Sequence, residues 1–126
     1  MSDKTIAQKL LIKPGYKILI LNPPAGYTAL IGELPEGVTL MKKSSPSADL
    51  IQVFIKSKKE MEEQLPRMKE SLKAGGLLWV TYPKGASKIP VDINRDIIAA
   101  YARIGMEAVD NFSVDDTWSA LRLKFA

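Results

Sequence analysis

Three apolar runs of strand length constrain this chain more than any other feature: KILILN at 17–22, DLIQVFI at 49–55 and LLWVTY at 77–82. Continuous runs of this kind suit strands buried on both faces, in a sheet with helices above and below it. The segments between them carry helix and turn signals. Residues 3–12 predict a short amphipathic lead helix that stops before Pro14-Gly15. A second short helix is expected over 25–33, after which Pro35-Glu36-Gly37 turns the chain into a further strand, VTLM at 38–41. The polar loop SSPSA at 44–48 leads into the run at 49–55.

Ser57-Lys58-Lys59-Glu60 fits a capping box, in which the Ser hydroxyl accepts from the N3 amide and the Glu reaches back to the cap amide. A helix should therefore start at about Lys58 and run to about Lys73, with Pro66 kinking or restarting it. Gly75-Gly76 are expected to supply its left-handed stop. Asp92 or Asn94 can cap another helix, IIAAYARI, which Gly105 ends; MEAVDNFSV and WSALRLKF then read as two closing strands joined at Asp115-Asp116. Behind the lead helix the order is β-α-β-β-α-β-α-β-β. It predicts one α/β domain over 1–126, with three layers: a mainly parallel sheet, helices on both faces, and a C-terminal antiparallel hairpin.

At 126 residues folding can bury roughly two-thirds of the surface the unfolded chain exposes, enough for a self-sufficient core. The chain has no Cys and no His. That excludes disulfides, thiolate nucleophiles, Cys/His zinc sites, a Ser-His-Asp triad and an imidazole base. Catalysis would fall to carboxylates, Lys, Tyr or Ser, or to a cofactor from outside. No apolar run reaches about 18 residues, and MSDKTIAQKLLIKPG interleaves charges with its apolar residues where a signal core would be continuous. The expectation is a cytoplasmic protein with no membrane contact, which the lack of Cys suits.

The net charge of +4 lies wholly in the first half: residues 1–60 carry nine Lys and five acids, residues 61–126 nine basic and nine acidic groups. Its densest part runs from Lys42-Lys43 through Lys56, Lys58 and Lys59. A solvated lysine-rich surface explains such a stretch, and so does binding to phosphates, nucleic acid or an acidic protein.

In open sheets of this kind ligands bind beyond the C-terminal strand ends, where strand order reverses. Those ends carry Asn22 to Tyr27, Lys42-Lys43, Lys56-Ser57 and Tyr82-Pro83-Lys84. The candidate ligand-binding residues are accordingly Asn22, Gly26 and Tyr27 after the first strand, Lys56 and Ser57 after the third, Lys84 and Lys88 in YPKGASK, and Trp118 beside the hairpin turn. Lys84 and Lys88 can hold an anion together with loop amides. Trp79, Tyr82 and Trp118 offer faces for stacking, yet strand aromatics usually build core, the reading adopted for Trp79. Trp118 flanks a turn and can also face a partner. Asp115 and Asp116 lack the further oxygen ligands a hard cation needs, so they read as a turn and no metal is expected.

KILILN with its loop, ADLIQVFI, LKAGGLLWV and the closing WSALRLKF resemble the class I S-adenosylmethionine-dependent methyltransferase fold. There an LKPGG-type turn leads into the fifth strand and an antiparallel seventh strand closes the sheet. Nearly the whole chain is also similar to a family of small bacterial domains to which no activity is assigned. The similarity lies in Lys13-Pro14-Gly15, Pro24-Ala25-Gly26-Tyr27, Gly75 to Val80, Tyr82-Pro83-Lys84 and Asp115 to Ser119. The resemblance implies a truncated, Rossmann-like methyltransferase fold, with the strand that carries the usual third cofactor contact deleted.

Against that pattern the loop after KILILN departs in two ways. Pro23 and Pro24 lack the N–H groups a cofactor loop donates and add ring bulk, leaving Gly26 as the only glycine of the turn. At the end of the second strand, where the fold usually holds the cofactor ribose with an acid, Lys42-Lys43 stand instead. No cofactor is therefore expected. Amino-group methyltransferases do use an Asn-Pro-Pro-aromatic motif, but the resemblance places it after the fourth strand of the fold. Here Asn22-Pro23-Pro24 follows the first, and Ala25 takes the aromatic position. A structural role is expected: Asn22 ends the strand by bonding a nearby amide and Pro24 presets the first helical turn.

The leading expectation is a non-enzymatic binding or interaction domain without catalytic residues. Its basic strand ends, Lys56, Lys58, Lys84 and Lys88, would engage a small anionic ligand or an acidic protein. The alternative is a divergent S-adenosylmethionine-dependent methyltransferase or other nucleotide-using enzyme. A third, nucleic-acid binding, is weakened by four scattered arginines, at 67, 95, 103 and 122, and by the lack of a recognition motif. An exposed sheet edge can pair with a second copy, so a homo-oligomer stays open.

Overall fold

Ten elements follow one another in the predicted order: α1 (Ile6–Lys9), β1 (Lys17–Leu21), α2 (Tyr27–Ile31), β2 (Thr39–Met41), β3 (Ala48–Phe54), α3 (Lys58–Ser71), β4 (Leu72–Pro83), α4 (Arg95–Ala102), β5 (Met106–Ser113) and β6 (Trp118–Phe125). The structure, a computed structural model, describes residues 5–41, 48–84, 92–102, 105–115 and 117–125. The strands form one sheet ordered β2-β1-β3-β4-β6-β5. Pairing is parallel from β2 through β4 and antiparallel on both sides of β6. Among the described residues six strands stand in place of seven, with the three-residue β2 at the edge, in agreement with the expected truncation.

Strand alternation divides the core between the two faces. Ile18, Leu50, Phe54 and Trp79 pack with Ile6 of α1, Leu10 just after it, and Tyr27 and Ile31 from α2. Leu19, Ile51, Val53, Leu78 and Val80 pack on the other face with Met61, Leu65 and Met68 of α3 and Ile98 of α4. Burying each large aliphatic or aromatic side chain contributes about 1.5–3 kcal/mol. Because β3 is apolar on both faces, a one-residue slip would keep it apolar, and hydrophobic pattern alone sets its register weakly. Gln52, fully buried between Leu50 and Phe54, supplies the missing specification through the bonds described below.

Local physics explains the element ends and corrects several expectations. The lead helix is only Ile6–Lys9, started by a capping box in which Thr5 Oγ1 accepts from the Gln8 amide at 3.2 Å and Gln8 Oε1 accepts from the Thr5 amide at 2.9 Å. The Trp79 indole N–H donates to Leu10 O at 2.9 Å and ties this helix to the sheet. Helix α3 begins at Lys58 as expected, with Ser57 Oγ accepting from the Glu60 amide at 3.1 Å. Glu60 reaches one residue further back than a standard box and accepts from the Lys56 amide at 3.1 Å. The helix also runs through Pro66 without a restart. Proline cannot donate to the carbonyl four residues earlier, and the Tyr101 hydroxyl approaches that orphan, Glu62 O, at 3.5 Å.

Gly75-Gly76 do not stop α3. The helix ends at Ser71, its cap Leu72 already extended, and β4 starts at once. Gly75 has φ +80° inside a bulge, where β3 advances from Ala48 to Leu50 while β4 advances from Leu72 to Leu77. At Gly76 a Cβ would lie 2.8 Å from both Leu72 Cδ1 and Lys73 O, so no larger residue fits. The two capping candidates before α4 divide the work: Asn94 Oδ1 accepts from the Ile97 amide at 2.9 Å, while Asp92 Oδ1 accepts from the Lys58 amide of α3 at 2.8 Å. Asp115 makes the hairpin turn, its Oδ1 accepting from the amides of Thr117 and Trp118 at 2.8 Å each. Lys42, Lys43, residues 44–47 of the polar loop, Lys88, Arg103 and Asp116 lie outside the described residues.

Candidate functional site at the strand ends

The C-terminal ends of β1, β3 and β4 and the start of β6 share one end of the sheet, since Pro83 pairs with Trp118 and Val53 with Leu21. The fold therefore gathers Asn22, Gly26, Tyr27, Lys56, Ser57, Lys84 and Trp118 at that end, as the sequence predicts; Lys88 lies outside the described residues.

The loop after β1 is a strained exit followed by a tight turn. Asn22 adopts a left-handed backbone, φ 56°, which ends the strand; among the described residues its side chain bonds no amide, contrary to expectation. The Tyr27 amide donates to Pro24 O at 3.1 Å, and Gly26, third in this four-residue turn, has φ 82° and ψ 1°. Those angles define a type II turn and account for glycine there. Pro24 thus opens the turn and does not preset the helix, which starts at Tyr27 without a side-chain cap.

Tyr27 and Trp118 point inward, with 2% and 6% of their surface exposed. Phe54 lies between them, its ring edge-to-face with Tyr27 at 4.8 Å and with Trp118 at 5.1 Å. The Tyr27 hydroxyl donates to Gln52 Oε1 at 2.7 Å, and Gln52 Nε2 donates to Thr81 Oγ1 at 3.0 Å. This buried chain crosses from α2 over β3 to β4. Burial pushes the Tyr27 pKa well above its ordinary value, a rise to which Asp115 adds and against which the Gln52 bond works. Neither Gln52 nor Thr81 is among the sequence candidates. Their signal is the presence of amide and hydroxyl side chains in otherwise apolar runs, which calls for partners once both faces are buried.

Around this core the polar rim is made by side-chain charge. Lys56 and Lys58 are exposed and Lys84 is half-buried. The Lys84 amide donates to Thr117 O at 2.8 Å, and its ammonium donates to Ser113 Oγ, which in turn donates to Asp115 O at 3.2 Å. Tyr82 is core, its hydroxyl accepting from Asn111 Nδ2 at 3.0 Å, and Trp79 is fully buried. Among the described residues no group of three or more acids is placed to hold a metal ion, and no helix is long and apolar enough to cross a membrane.

This architecture is that of the S-adenosylmethionine-dependent methyltransferases, in shortened form. A TehB-like methyltransferase from Corynebacterium glutamicum superposes with TM-score 0.61 over 99% of this chain and 90% of its own, at 15% identity. A ribosomal protein L11 methylase from Lactobacillus delbrueckii subsp. bulgaricus gives TM-score 0.58 over 95% and 74%, at 13% identity. A methyltransferase from Aquifex aeolicus gives 0.57 over 96% and 88%, at 12%. No family model and no curated protein matches the chain.

The loop after β1 presents fewer backbone donors than an anion-binding loop of such a fold would use. Of the five positions 23–27, Pro23 and Pro24 have no N–H and the Tyr27 N–H is already bonded to Pro24 O. The Tyr27 hydroxyl is likewise committed to Gln52.

Proposed function

We propose that this chain is a non-catalytic binding domain built on the methyltransferase fold, whose basic rim of Lys56, Lys58 and Lys84 engages a small anionic ligand or an acidic partner. The observation that carries this reading is the loop after β1, which has a glycine turn but, with two prolines and the Tyr27 amide bonded inside the turn, keeps only the Ala25 and Gly26 amides of the donors a phosphate- or nucleotide-binding loop presents. What this end of the sheet offers an anion is ammonium charge, which attracts without dictating geometry. A second reading, a divergent S-adenosylmethionine-dependent methyltransferase, is favoured by the names of the solved structures with the same fold.

Thermal unfolding with about millimolar S-adenosylhomocysteine, and separately with tripolyphosphate at two salt concentrations, tests both. A ligand at about a hundred times its Kd adds about 2.7 kcal/mol to stability. The expected result is no shift with S-adenosylhomocysteine and a salt-sensitive rise with tripolyphosphate that Lys84→Ala removes. A rise with S-adenosylhomocysteine replaces this reading with the second. Silence from tripolyphosphate sinks the small-anion form and leaves an acidic protein as the partner to seek.

A further inference from the structure

At the opposite end of β4, where β6 finishes, Gly75, Gly76, Leu77, Arg122, Lys124 and Phe125 line a groove of about 220 Å³. Arg122 is the unusual member. Its Nε is buried and has no hydrogen-bond partner among the described residues. A buried donor on a charged group is costly to leave unmatched, and native structures almost always satisfy one.

The neighbours that could match it are turned elsewhere. Arg122 stands opposite Trp79 on β4 and Asp110 on β5. Asp110 directs Oδ1 to the Asn111 amide at 2.8 Å, and no ion pair joins it to Arg122 among the described residues. Glu107, the next acid along β5, is paired with Lys124 at 3.3 Å. Apart from Lys124, whose ammonium is paired with Glu107, the rest of the lining is carbon and bare backbone: Leu77 and Phe125 supply apolar surface. Gly76 is held without a side chain by Leu72 and the backbone of Lys73 and Asp49.

We propose that this groove binds a small apolar monocarboxylic acid, its carboxylate on the Arg122 guanidinium and its carbon chain against Leu77 and Phe125. A guanidinium presents parallel donors in a fixed fork that matches a carboxylate. With the Lys124 charge met by Glu107, the Arg122 cation beside apolar walls favours a singly charged acid over a multiply charged, strongly hydrated ion such as phosphate. The groove is smaller than those that enclose drug-sized ligands, which limits the occupant to a short chain. The site is independent of the lysine rim at the far end of the strands.

The test is a nitrogen–proton NMR titration of the whole chain with hexanoate, hexanamide and inorganic phosphate at matched ionic strength. Hexanoate should give saturable shifts of the Arg122 Nε–H resonance and the Gly75 and Gly76 amides, with half-saturation in the millimolar range. Hexanamide and phosphate should leave them in place. Arg122→Lys, which keeps the charge but loses the fork, should weaken hexanoate at least tenfold, and Arg122→Gln should abolish the shifts. Unmoved resonances with hexanoate, equal movement with hexanamide or phosphate, or shifts that persist in Arg122→Gln would each overturn the assignment. If Arg122→Gln does not fold, the comparison of hexanoate with hexanamide on the unaltered chain decides alone.

Discussion

After β1 the chain enters a five-residue helix through Gly26, with no side-chain cap, whereas after β3 it enters a fourteen-residue helix through Ser57. At this second junction the amides of Lys58 and Glu60 are bonded to Asp92 and Ser57, and the preceding amide of Lys56 to Glu60. Both junctions lie where an α/β sheet ordinarily receives an anion on open helix amides. The first offers them only on a single short turn, preceded by two prolines that have no N–H. The second is long enough but commits its Lys58 and Glu60 amides to Asp92 and Ser57, acceptors that also complement the positive end of the helix. On the proposed reading an anion at this end is held chiefly by lysine ammonium groups, and its binding weakens with salt.

The largest effect is expected at the first junction, where the helix is anchored by a buried bond in place of a cap. Tyr27→Phe keeps the ring contacts with Phe54 and leaves Gln52 Oε1 buried without its donor. That should cost about 1–3 kcal/mol in urea unfolding. The variant also changes the alkaline limb. Folded Tyr27 holds its proton to higher pH than the unfolded chain does, so its contribution is complete below pH 10.0, tyrosine's ordinary value, and fades as pH rises further. Stability of the parent chain should therefore fall more steeply above that pH than stability of Tyr27→Phe. Parallel curves would mean that burial does not hold the Tyr27 hydroxyl neutral, and the contrast between the junctions would lose its first half.

The two junctions also differ in what the sequence discloses. Ser57 and Glu60 are three residues apart, so the cap they form is visible in any window that includes both. Asp92 closes the same helix from 34 residues away, and nothing local distinguishes that role from the capping of α4. The Tyr27–Gln52–Thr81 chain joins residues separated by 25 and 29 positions. Its members are legible only as polar residues in apolar surroundings. Element order, parallel sheet and hairpin follow from apolar runs and turn chemistry, which act locally. Gly75-Gly76 mislead because a left-handed glycine ends a helix and shapes a bulge with the same backbone angle, and only the pairing of β3 with β4 tells which. Arg122 reads as one scattered arginine until β5 and β6 place it opposite an aspartate that bonds elsewhere.

A smaller effect tests the second junction. Ser57→Ala removes the cap acceptor and Asp92→Ala removes the distant one, each expected to cost about 1 kcal/mol, within the usual range for helix caps. The two acceptors serve different amides of the same turn, so their effects should not add cleanly. Hydrogen exchange at the Lys58 and Glu60 amides separates them: Asp92→Ala should expose the first and Ser57→Ala the second. If Asp92→Ala leaves the Lys58 amide as protected as before, closure by Asp92 is not what shields this helix start.

Lys84→Ala should have the smallest effect on stability and the most specific one on binding. Its ammonium donates to the hydroxyl of Ser113, an exposed residue, and a bond of that kind contributes little in water. The backbone bond from the Lys84 amide to Thr117 O survives the substitution and keeps the end of β4 beside the hairpin. Urea unfolding should therefore shift by no more than about 0.5 kcal/mol, while the stabilisation by tripolyphosphate disappears. Because the folded state is barely perturbed, that loss would be attributable to the missing charge. A cost well above 1 kcal/mol would instead make Lys84 a strut between β4 and the hairpin, and the rim at this end of the sheet would then rest on Lys56 and Lys58.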